Sequence, residues 1–137
     1  MSESLITPEN LSMDLLEEVF DAAYMESSID EDGDLKVLDA CTVYLRPDLE
    51  RKERIRLLAI FAFEEASTMA DRLICVNNIN NEYIVVTASA SDNGLLIFRY
   101  DLMLAGGMTK KALVLSVKRF ASIPKDAIQD HGSSIVR

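Results

Sequence analysis

The stretch Ile55-Arg-Leu-Leu-Ala-Ile-Phe-Ala-Phe63 decides the architecture of this chain. Its last seven residues are all apolar, and such a run carries no period that separates a buried strand from a buried helix. Propensity leans slightly to helix. A strand would instead be the central one, with Ile55, Leu57, Ala59, Phe61 and Phe63 on one face and Leu58, Ile60 and Ala62 on the other. Both faces of such a strand need cover.

Upstream of this stretch, Pro47 and Asp48 interrupt the chain, and Leu35–Leu38 and Thr42–Leu45 read as short strands of a meander. Ser27 to Asp34 has turn composition, with Asp-Glu-Asp-Gly-Asp at its end and Gly33 able to take positive φ. Before it, Leu11, Leu15, Leu16, Val19, Phe20, Ala23 and Tyr24 recur at helical spacing opposite Asp14, Glu17, Glu18 and Asp21. Thr7 and Pro8 suggest the N-cap and first residue of that helix.

Downstream, Thr68 and Asp71 have capping-box spacing and open a second helix that ends near Asn80, within the cluster Asn77, Asn78, Asn80 and Asn81. Tyr83–Ala88 and Leu95–Leu102 alternate as two strands around Asp92-Asn93-Gly94, a strong hairpin signal. Gly106 and Gly107 form a turn. Thr109 then caps a third helix carrying Leu113, Val117 and Phe120, which Pro124 limits or kinks. A frayed tail is expected from His131 to Arg137.

The chain has 137 residues, 49% of them hydrophobic and 27% charged, which is the composition of one domain with a real core. A single domain is expected over residues 1–137, with a core from about 7 to 128. No stretch approaches the roughly 18 apolar residues of a membrane span, and the N-terminus does not have the pattern of a signal peptide. Cys41 and Cys75 are far apart and read as free thiols of a reducing compartment. A cytoplasmic protein is expected, without a membrane partner.

The net charge of −9 disfavours binding to a phosphate backbone. The charge is also polarised. Eleven of the twenty-three acidic residues fall between Met1 and Leu35, a stretch with no Lys or Arg, whereas Arg51, Lys52, Arg54 and Arg56 form a basic cluster. Arg54 and Arg56 share a face if the segment is a strand, but the aromatics Phe61 and Phe63 lie on the opposite one, so no nucleic-acid partner is expected.

The segment Gly94-Leu-Leu-Ile-Phe-Arg-Tyr100-Asp101-Leu-Met-Leu-Ala-Gly106-Gly107-Met-Thr109 resembles the Tyr-Asp-Leu-x-Leu-x-Gly-Gly-x-Thr stretch of the bacterial YbjN family. Thr7-Pro8, Asp32-Gly33-Asp34-Leu35 and Val76-Asn77-Asn78-Ile79-Asn80 are similar to the family in order and spacing, so the likeness extends from about residue 7 to 123. The resemblance implies an α-β-β-β-α-β-β-α fold like that of type III secretion chaperones: an α+β domain with helices packed on a five-stranded antiparallel sheet. Ile55–Phe63 is then a strand, against the propensity lean. The family is described as regulators of sensory transduction, and the resemblance transfers no active site.

Other constellations are weaker. Ser28 to Asp39 approaches a calcium loop, with Asp30, Asp32 and Gly33 in place, but Ser28 replaces the first Asp and Asp39 the bidentate Glu. His131 is the only histidine, so neither a His-activated nucleophile nor a multi-His metal site can be assembled. Glu64 with Glu65, or Asp101 with Asp126, would serve as acid and base no better than any other two acids. Gly106-Gly107 is no phosphate loop.

No catalytic residue, metal or cofactor is therefore expected, and the chain reads as a non-enzymatic regulator that works by protein interaction through a sheet face and its acidic first helix. The interface expected is Leu58, Ile60 and Ala62 with Arg54 and Arg56. Three helices cover one face of a five-stranded sheet and leave Leu58, Ile60 and Ala62 without cover from their own chain, so a homodimer or another bound protein is expected to cover them. The alternative is a secretion-chaperone-like protein that holds an extended segment of its partner.

Overall fold

The computed structural model describes residues 5–137. In chain order the elements are β1 (Leu5–Ile6), α1 (Met13–Ala22), β2 (Ser27–Ile29), β3 (Leu35–Leu38), β4 (Thr42–Pro47) and β5 (Arg54–Ala62), followed by α2 (Met69–Glu82), β6 (Thr87–Ala90), β7 (Leu95–Met103), β8 (Met108–Thr109), α3 (Lys110–Ala121) and α4 (Ile123–His131). Six strands form one antiparallel sheet in the order β2-β3-β4-β5-β7-β6, and β1 pairs with β8 in a small second sheet.

The disputed stretch is a strand at the middle of the large sheet, as the family resemblance implies. Its odd-numbered residues Ile55, Leu57 and Ala59 are fully buried in a core shared with Leu16 and Phe20 of α1, Leu113, Val117 and Phe120 of α3, and Ala127 of α4. Burying a side chain the size of Ile55 or Leu57 contributes on the order of 1.5–3 kcal/mol. The helices thus lie on one side of the sheet.

Local signals place most elements. Thr68 and Thr109 cap α2 and α3 by accepting from the backbone N–H of Asp71 and Ala112. Gly94 turns the β6–β7 hairpin at φ +84°, and Gly106 and Gly107 both sit at φ +82°. In Gly107 a side chain would also press on Leu5, 3.2 Å from where its Cβ would lie.

Five expectations need correction. Thr7 is not the N-cap of α1. The pairing of β1 with β8 keeps the chain extended, and the Asn10 side chain closes a turn on Thr7 N–H at 2.8 Å and Leu5 C=O at 2.8 Å, so Ser12 caps the helix instead. The turn-like segment from Ser27 begins as strand β2, which makes the sheet six-stranded rather than five-stranded. Pro124 ends α3 but also starts α4, because a Pro in the first turn of a helix gives up no hydrogen bond.

The end of the chain, expected to fray, returns to the sheet. Val136 bridges to Phe63, Glu64 N–H donates to Ile135 C=O at 2.7 Å, and Arg137 N–H donates to Ala62 C=O at 2.9 Å. The first hairpin strand also starts later than its alternation suggests. Tyr83 ends α2 with its hydroxyl on Asp130, and strand pairing begins only at Thr87.

Candidate protein-binding face

Because side chains alternate along a strand, burying the odd residues of β5 turns Arg54, Arg56, Leu58, Ile60 and Ala62 to the side without helices. The antiparallel register adds their neighbours. Arg46 lies opposite Arg56 and Tyr44 opposite Leu58, both from β4. From β7, Met103, Asp101, Arg99, Ile97 and Leu95 lie opposite Arg54, Arg56, Leu58, Ile60 and Ala62.

The five expected interface residues therefore share one face, but they are not equally open. Ile60 is 43% exposed and Ala62 half-buried, whereas Leu58 is only 7% exposed. A depression of about 240 Å³ is lined by Asp30, Asp32 and Asp34 of the β2–β3 turn together with Tyr44, Arg46, Leu58 and Ile60. The turn therefore closes over one side of the face, and the apolar patch is narrower than the strand pattern alone suggests.

Two bidentate ion pairs organise the charged part. Arg56 donates through Nε and Nη2 to Asp101 at 2.8 and 3.1 Å, and Arg46 does the same to Asp34 at 3.1 and 2.9 Å. Arg54 approaches Asp101 at 3.8 Å. The Arg56 hydrogen bonds hold the Asp101 carboxyl below the usual carboxylate range, with Arg54 and Arg99 adding to the effect, and Asp101 and Asp34 raise Arg56 and Arg46 in turn. Since folding lowers this carboxyl, its contribution to stability is fully present above the unfolded value of about 3.9 and is lost as pH falls through the folded value. The stability difference between the native chain and Asp101→Asn in urea titrations is accordingly expected to shrink once the pH drops below about 4. A difference that stays constant from neutral to acidic pH would show that the ionised carboxylate gains nothing from its arginines on folding.

The other constellations are put to structural use. The Asp30 carboxylate accepts from the backbone N–H groups of Asp32 and Asp34 at 3.0 and 2.9 Å, which fixes the β2–β3 turn around Gly33 at φ +85°, while Asp34 is committed to Arg46. Among the described residues no group of three or more His, Cys, Asp or Glu is placed to hold a metal ion. His131 pairs with Glu82 across the ends of α2 and α4. Asp101 and Asp126 are not brought together: one is on the open face, the other in the first turn of α4. Cys41 and Cys75 are free thiols pushed up by burial. Among the described residues no helix is long and apolar enough to cross a membrane.

The family profile described as "Putative bacterial sensory transduction regulator", YbjN, matches residues 12–130. The chain belongs to the YbjN family. Its structure is similar to the crystal structure of YbjN from E. coli, described as a "putative transcription regulator", at a TM-score of 0.76 and 15% identity over 98% of this chain and 99% of that one. It is also similar to the type III secretion chaperone SycH of Yersinia pestis, solved with a fragment of YscM2, at a TM-score of 0.54 and 14% identity over 85% and 96% of the two chains. A chain of the HopA1–SchA chaperone–effector complex gives a TM-score of 0.57 and 14% identity over 88% and 92%. At such identities the likeness concerns the fold. No curated protein matches the sequence.

Sequence reasoning found the β5 part of this face and missed Arg46, Arg99, Asp101, Tyr44 and Ile97 as members of it. Alternation within β4 and β7 was the available signal, but which residues lie side by side depends on register between strands far apart in sequence.

Proposed function

We propose that this chain is a non-enzymatic regulatory protein that acts in the cytoplasm by binding another protein across the open face of its sheet. The observation that supports this reading is the exposed Ile60, beside half-buried Ile97 and Ala62, at the centre of a sheet whose helices all lie on the other side. Apolar side chains in the middle of a sheet gain by removal from water, and the described residues leave Ile60 open to it.

A photo-crosslinking amino acid placed at Ile60 or Ile97 in living cells is expected to give a discrete adduct that the same label at Asp21, exposed on α1, does not give. Adding Ile60→Asp to the chain labelled at Ile97 should abolish it. Labels at both positions that react only with solvent would end the proposal.

A second reading has the chain hold an extended segment of its partner, as a chaperone does. It is supported by the shared fold with SycH and SchA–HopA1, whose structures contain a partner fragment or an effector. The two readings use the same face and differ in whether the captured partner is folded.

A further inference from the structure

The open face is divided along its strands. Toward one end the register sets Arg56 against Asp101 and Arg54 against the exposed Met103, with Arg99 one step further along β7. Toward the other end it sets Ile60 against Ile97 and Ala62 against Leu95. One carboxylate, Asp101, serves three guanidiniums on these two strands: it is chelated by Arg56, lies 3.8 Å from Arg54, and is held down by Arg99 as well. Arg99 is exposed and forms no ion pair among the described residues. Cationic charge is thus left over next to an apolar patch, in a chain whose net charge is −9.

We infer that this face takes a segment of a partner protein with Asp or Glu side chains at one end, over Arg54 and Arg99, and apolar side chains at the other, over Ile60 and Ile97. The inference rests on the reading of this face as a protein-binding surface and names the chemistry of what it binds. The guanidinium of Arg56 is already fixed by its carboxylate, while those of Arg54 and Arg99 have donors to spare, and a planar fork of N–H groups suits a carboxylate. The acids of α1 lie on the helical side of the sheet, whereas Asp30, Asp32 and Asp34 border the Ile60 end of this face, with Asp34 committed to Arg46, so the acids of a bound segment are directed to the Arg54 and Arg99 end.

A second copy fits this division poorly. A face-to-face pair related by a two-fold axis along the strands sets arginine end against arginine end, and an axis across the strands sets the arginine end of each on the apolar end of the other. The first repels and the second strips arginines of water against Ile60.

The test uses two fluorescein-labelled peptides, one running Glu-Asp-Glu-Asp-Leu-Val-Phe-Leu and the other Gln-Asn-Gln-Asn-Leu-Val-Phe-Leu, followed by anisotropy on the intact chain. The acidic peptide is expected to bind about tenfold more tightly, which two charge-assisted hydrogen bonds readily supply, and added salt should erase the difference. Arg54→Gln with Arg99→Gln should bring the two peptides level, whereas Ile60→Asp should weaken both. Equal binding of the peptides, a preference untouched by the arginine changes, or binding of neither peptide overturns the inference. Equal binding that Ile60→Asp still weakens would leave the protein-binding reading standing, and cross-linking in cells tests that reading separately. A dimer in sedimentation that Ile60→Asp dissociates would give the face to a second copy and likewise overturn the inference.

Discussion

Leu57→Ala is expected to lower the unfolding free energy by about 2–5 kcal/mol, and Ile60→Ala, three positions along, by less than about 1 kcal/mol. Leu57 is fully buried between the sheet and its helices, where loss of the isobutyl group removes transfer free energy and leaves a cavity. Ile60 is 43% exposed on the other face, so truncation removes contacts already shared with water. Urea denaturation of the two variants reads the comparison directly. The contrast also decides the conformation of the stretch: residues three apart share a face in a helix but lie on opposite faces in a strand. Similar losses from both variants would refute the strand and with it the open face.

Asn80→Ala is expected to cost about 1–3 kcal/mol although Asn80 itself lies at the surface. Its side-chain amide donates to Ala88 C=O at 3.1 Å and its carbonyl accepts from Ala88 N–H at 2.8 Å. Ala88 is 3% exposed and belongs to β6, the edge of the sheet, so Asn80 stands in for the missing neighbouring strand. Truncation leaves both backbone groups of Ala88 without a partner. Asn80→Asp should restore only the accepting half, and Asn77→Ala, which touches none of this, should be close to neutral. Amide exchange at Ala88 is the sharper measurement: it should accelerate in Asn80→Ala, and unchanged protection there would remove this role.

How far the sequence reveals the fold depends on how local each determinant is. The β6–β7 hairpin and the caps of α2 and α3 are legible because Asp92-Asn93-Gly94, Thr68 and Thr109 act within a few residues of themselves. Ser12 is hidden behind Thr7 because the competing turn is closed by the Asn10 side chain and by β1, whose partner strand lies about a hundred residues away. The returning tail is illegible for the same reason: Ile135 and Val136 have no helical or strand period of their own, and their partners are Phe63 and Glu64. The β5 stretch is ambiguous in principle, since a strand buried along most of its length loses the alternation that identifies strands. There the family resemblance, and not propensity, gives the right answer. The same division applies to the candidate site. Arg54, Arg56 and Ile60 follow from the two-residue period of one strand, whereas the pairing of Arg56 with Asp101 and the burial of Leu58 come from strands brought together by folding.

The position of β5 also bears on how the chain reaches this state. Arg54 pairs with Met103, and the whole of α2 and β6 lies in the loop between them, so the central ladder closes only after a long-range encounter. Until then Leu57–Phe63 is an uncharged apolar run without Pro or Gly, open to stacking between molecules into cross-β aggregates. Arg54 and Arg56 precede it and Glu64 and Glu65 follow it, so in-register stacking of nascent copies would set like charges upon one another at both borders. The arginines that line the finished face thereby also guard the unfinished one.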